Sequence, residues 1–74
     1  MNLESFSKRL RRIRLNLGLN QHEVSQQTGI SQATISRLEA GKTMPSYQTL
    51  VQISATFGVQ VSDLLTLKEE EEEI

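Results

Sequence analysis

Hydrogen-bonding side chains on short or straight stems recur through residues 32–40 in a pattern that a helix gathers onto one face. At about 100° per residue, Gln32, Ala33, Ser36, Arg37 and Ala40 share one side, and Thr34, Ile35 and Leu38 share the other. A glutamine amide can match the edge of adenine, a guanidinium that of guanine, and an alanine methyl the methyl of thymine. The polar side therefore carries groups suited to base edges in a major groove, and its two alanines leave room for close approach. Other residues suit phosphate. A helix starting at Gln21 offers backbone N–H groups and a favourable dipole, beside the side chains of Asn20 and Gln21. Lys42 and Thr43 stand on the other flank. His22 reads as an exposed helix residue, and Lys8, Arg9, Arg11 and Arg12 as a solvated face.

Catalysis has little to stand on here. With no cysteine, one histidine and no glycine-rich phosphate loop, neither a nucleophile with its base nor a metal cluster is suggested. No cofactor is expected. The absence of cysteine fits a reducing compartment, and with no signal-peptide pattern and no apolar run of membrane-spanning length a cytoplasmic protein is expected.

The polar face needs elements to hold it. Gly18, Gly29, Gly41 and Gly58 each end a helical pattern, which divides the chain into five helices and makes the fold class all-α. Helix 1 is expected over Ser5 to Leu17, with Phe6, Leu10, Ile13 and Leu17 on one face. Helix 2 spans Gln21 to Thr28 and helix 3 Gln32 to Ala40. Asn20 and Glu23 have the spacing of a capping box, with Leu19 and Val24 as a hydrophobic staple. Ser31 caps helix 3, flanked by Ile30 and Ile35 at the same spacing. Gly29 supplies the positive φ of the turn between them. Ser46 caps helix 4, which ends near Phe57 and carries Leu50, Ile53, Ser54 and Phe57 as its stripe. A buried Ser54 is expected to bond back one turn. Ser62 is the expected cap of helix 5, where Leu64, Leu65 and Leu67 are apolar.

Two helices with a tight turn, from Asn20 to Lys42, resemble the helix-turn-helix of the Cro and phage-repressor family, the xenobiotic-response-element type. The likeness rests on Gln21, the small Ser25, Gly29, and the apolar Val24, Ile30, Ile35 and Leu38. It extends through Arg14, Gly18 and Leu19 on one side and Leu38-Glu39-Ala40-Gly41 on the other, over roughly residues 5 to 67. Ser25 and Ser54 replace the usual alanine, and Thr28 a common valine or isoleucine. Met44, Pro45 and Tyr47 stand where further basic residues are frequent. The resemblance implies a compact five-helix, lambda-repressor-like domain in which Gln32, Ala33, Ser36 and Arg37 face bases. It also implies an ion pair of Arg14 with Glu39 and dimerisation through the C-terminal part, here Phe57, Val59, Val61 and Leu67.

Charge is divided along the chain. Residues 1–42 hold seven basic residues against three acids, a net +4, whereas 43–74 hold one against six, a net −5. The overall −1 therefore hides a basic half suited to nucleic acid. At 74 residues the chain reads as one small domain over 1–68 and an acidic tail over 69–74. The glutamates Glu69 to Glu73 repel one another and are expected to be solvated and dispensable for folding. The expected function is a sequence-specific DNA-binding transcriptional regulator of repressor type, a homodimer on a two-fold symmetric double-stranded DNA operator. The alternative is a protein-interaction module, such as an antitoxin that binds a toxin or an anti-repressor, which could also bind its own operator.

Overall fold

The computed structural model describes residues 3–65. Leu67 and the glutamate tail, on which the sequence reading also commented, lie outside the described residues. Among the described residues there are five helices and no strand: α1 (Leu3–Asn16), α2 (Gln21–Thr28), α3 (Gln32–Glu39), α4 (Tyr47–Phe57) and α5 (Val61–Leu65). None is long and apolar enough to cross a membrane.

Each helix gives its apolar stripe to one core. Phe6 and Leu10 come from α1, Val24 from α2, Ile35 and Leu38 from α3, Leu50 and Ile53 from α4, and Leu64 from α5, with Ile30 added from the turn. Ile13, Leu19, Phe57, Val59, Val61 and Leu65 pack around them, partly buried. Helix α3 rests on α1 and α2, while α5 closes the far side against α1 and α4. Helix α3 is thus held on one flank by two helices and leaves the other to solvent.

Three residues near helix ends behave differently from the sequence reading. Leu17, expected on the buried face of α1, is 53% exposed. The reason is the turn that ends α1: Gly18 N–H donates to Leu15 O and Leu19 N–H to Arg14 O, with Gly18 at φ +72°. This closure satisfies the last carbonyls and swings Leu17 off the stripe. Ser62 does not cap α5. The helix starts at Val61, two residues earlier than a cap at Ser62 implies; Asp63 and Leu64 N–H groups reach Gln60 O, and Ser62 Oγ donates to Gln60 Oε1 at 3.3 Å. Ser54 does not bond back along α4. Its hydroxyl donates forward to Val59 O, while Val59 N–H donates to Ser54 O. That reciprocal pair locks the α4–α5 connection, which alanine at 54 could not do.

Candidate nucleic-acid interface

Local chemistry builds the pair α2–α3. Asn20 Oδ1 accepts from Glu23 N–H and Glu23 Oε1 accepts from Asn20 N–H, each at 2.8 Å, so two otherwise unpaired donors are satisfied. Ser31 Oγ accepts from Thr34 N–H at 3.1 Å at the start of α3. Between the helices Gly29 has φ +79°. Thr28 is the part that residue types alone did not suggest. Its buried hydroxyl donates to Val24 O at 2.8 Å and accepts from Ile30 N–H at 3.1 Å, stitching the end of α2 to the turn.

On this frame α3 divides as its periodicity predicts. Ile35 and Leu38 are almost completely buried and Thr34 is half-buried. Gln32, Ala33, Ser36, Arg37 and Ala40 are all exposed. Gln32 and Arg37 stand about 140° apart around the helix, with Ala33 and Ser36 between them. Arg37 Nη2 lies beside Thr34 Oγ1 at 3.4 Å, a long contact on its own helix.

Glu39 fixes the end of α3 to the rest of the molecule. Arg14 donates to it twice, from Nε to Oε2 at 2.6 Å and from Nη2 to Oε1 at 2.9 Å. A third Arg14 bond, from Nη1, reaches Leu19 O at 3.0 Å. The two side chains are only 12% and 5% exposed. The hydrogen bond to Glu39 raises the Arg14 pKa above its ordinary value; burial opposes the rise and the carboxylate charge adds to it. Gln21 Nε2 also donates to Glu39 Oε1, at 3.1 Å. Gln21, which the sequence assigns to phosphate, therefore has part of its amide engaged within the protein. A cleft of about 270 Å³ opens here between α1, α2 and α3, lined by Arg11, Arg14, Gln21, Ser36, Glu39 and Ala40.

Of the remaining phosphate candidates, Asn20 and Lys42 are exposed and Thr43 is half-buried, on the two sides of α3. Asn20 has its backbone N–H and its Oδ1 committed to the cap, which leaves the Nδ2 group for a ligand. Phe57, Val59 and Val61, singled out for dimerisation, are partly buried against the chain's own core. Among the described residues, the large exposed apolar side chains are Leu15, Leu17, Met44, Tyr47 and Val51. Met44 lies in the loop before α4, whereas Tyr47 and Val51, four residues apart on α4, stand one above the other on its exposed side. Leu17 and Phe57 line a depression of about 290 Å³ with Leu19, Gln27 and Thr56. His22 is another residue that spacing alone did not reveal: its Nδ1 lies 3.3 Å from Gln32 Oε1.

Comparison with known proteins agrees with this architecture. The model of the family described as "Helix-turn-helix" matches residues 10–64. The chain is 40% identical over 58 residues to the HTH-type transcriptional regulator DdrOP3 of Deinococcus deserti, covering 78% of this chain and 45% of that protein. It is 33% identical over 63 residues to an uncharacterized HTH-type transcriptional regulator of Archaeoglobus fulgidus, covering 85% of this chain and 90% of the other. The cryptic phage CTXphi transcriptional repressor RstR of Vibrio cholerae is 30% identical over 61 residues, with 82% and 55% covered. The chain thus spans about half the length of two of these relatives and most of the third.

Proposed function

Because the chain belongs to the helix-turn-helix family, we propose that it is a sequence-specific DNA-binding transcriptional regulator, a repressor, that docks α3 in the major groove. The observation that carries this reading is the division of α3. Its apolar side is sealed in the core, and its exposed side presents an amide, a hydroxyl and a guanidinium around two alanines. Gln32, Ala33, Ser36 and Arg37 face the bases; Asn20, Gln21, Lys42 and Thr43 serve the phosphates on either side. A protein-interaction module of antitoxin type would want an apolar patch on α3. Among the described residues, the large exposed apolar side chains lie off α3.

One α3 reads only a few base pairs, so the regulator acts as a homodimer on a two-fold symmetric operator. Its two reading helices then lie about 34 Å apart, one turn of the duplex. The exposed edges of Phe57, Val59 and Val61, with Leu67 from outside the described residues, form the contact, and Leu17 extends it. Selection from randomised DNA tests both statements. A symmetric consensus with half-sites one turn apart supports them. No enrichment would refute sequence-specific binding, and a single half-site that binds one protomer as tightly as the full site would refute the dimer.

A further inference from the structure

His22 and Gln32 open consecutive helices, as the second residue of α2 and the first of α3, and the turn brings their side chains together. Nδ1 of His22 lies 3.3 Å from Oε1 of Gln32. Both residues are exposed, so the contact adds nothing to the core. The caps of the two helices use Asn20, Glu23 and Ser31 instead. The contact therefore acts on the one thing it touches, the Gln32 amide.

A terminal amide rotates through a broad, nearly two-fold torsion, and half a turn exchanges its oxygen and nitrogen. Adenine is read when the oxygen accepts from N6 and the nitrogen donates to N7, in that order across the base edge. A freely rotating amide offers either order and discriminates less. Where Nδ1 carries a proton, as in the imidazolium and in one of the two neutral tautomers, His22 donates to Oε1. That holds the oxygen toward α2 and leaves its second lone pair, with both N–H bonds of Nε2, for the groove.

We propose that His22 is a positioning residue that fixes the donor and acceptor order of the Gln32 amide and thereby sets the preference of Gln32 for adenine. The inference rests on the base-reading role given to Gln32 above. It makes specificity at one base pair depend on a residue that touches no base.

The test measures the affinity of the full chain for its selected operator and for every single-base variant of a half-site. Wild type is compared with Gln32→Ala, His22→Ala, His22→Asn and the double variant His22→Ala/Gln32→Ala. Gln32→Ala first identifies its base pair by the preference that disappears. His22→Ala is expected to lower the preference at that pair about three- to tenfold, part of the roughly 5- to 150-fold that a bidentate contact supplies. Preferences at other pairs and the melting temperature stay as they were. Adding His22→Ala to Gln32→Ala changes the preference no further. His22→Asn, whose Nδ2 donor replaces Nδ1, restores it. An unchanged preference at the Gln32 pair in His22→Ala, or an equal loss at every pair, overturns the proposal. If Gln32→Ala alters no pair, the base-reading role itself is overturned, and the inference goes with it.

Discussion

Glu39 accepts three hydrogen bonds, two from Arg14 and one from Gln21. A carboxylate so enclosed is costly to leave without its partner. Arg14→Met and Glu39→Gln are each expected to lower stability by about 3 kcal/mol, the scale for breaking a buried pair. Because the two residues share one interaction, the double variant should lose less than the sum. Urea unfolding of all three proteins checks this; single losses under about 0.5 kcal/mol would reduce the pair to a surface contact. The raised Arg14 pKa also fixes a sign. Its contribution is complete below the ordinary guanidinium pKa and fades only as pH rises through the raised one, so Arg14 adds no pH slope near neutrality. Arg37 is the opposite kind of residue, exposed and held by one long contact to Thr34. As a base reader, Arg37→Ala costs about 1–3 kcal/mol on the operator and relaxes one base pair per half-site. A uniform loss on all sequences, with the salt slope shallower by about one unit, would instead mark a phosphate contact. Binding to single-base variants at two salt concentrations separates the outcomes.

At the scale of elements, the turn between α2 and α3 depends on a hydroxyl as much as on a glycine. Thr28→Val keeps the shape but leaves the buried Ile30 N–H without its acceptor. A loss of about 1–3 kcal/mol is expected, and Thr28→Ser should recover most of it; thermal melts of the two variants decide. The sequence made Thr28 legible only as a small residue in place of valine or isoleucine, because periodicity records that a position is covered and not what its side chain bonds. Caps were legible because they act locally: Asn20, Ser31 and Ser46 each accept from the residue three positions on. Leu17, Ser54 and Ser62 were misjudged for one physical reason. Each lies at a helix end, where reversal of the chain redirects side chains and the period stops being a guide. In the site, the exposed face of α3 could be read from spacing, while the His22–Gln32 and Gln21–Glu39 contacts join residues on different helices and needed the fold.

Across the whole molecule, the apolar groups assigned to dimerisation also serve the core. Phe57, Val59 and Val61 pack against it from one side, so folding and the proposed association would draw on the same residues. Phe57→Ala should therefore cost about 2 kcal/mol of stability, less than the 3–5 kcal/mol of a fully buried phenylalanine, and weaken the dimer as well. Sedimentation equilibrium beside urea unfolding at several protein concentrations measures both losses. A midpoint independent of concentration in wild type would indicate a monomer. The stitched turn has a calorimetric consequence too. With Thr28 bonding both α2 and Ile30, and Glu39 anchoring the end of α3, the two helices meet the duplex already ordered, and no segment between them has to fold on contact. The heat-capacity change of association should then follow the apolar area covered alone, without the large negative excess that accompanies coupled folding. Titration calorimetry across a range of temperatures would read the rigidity of a three-residue turn as an enthalpy whose temperature slope is no steeper than the covered apolar area requires.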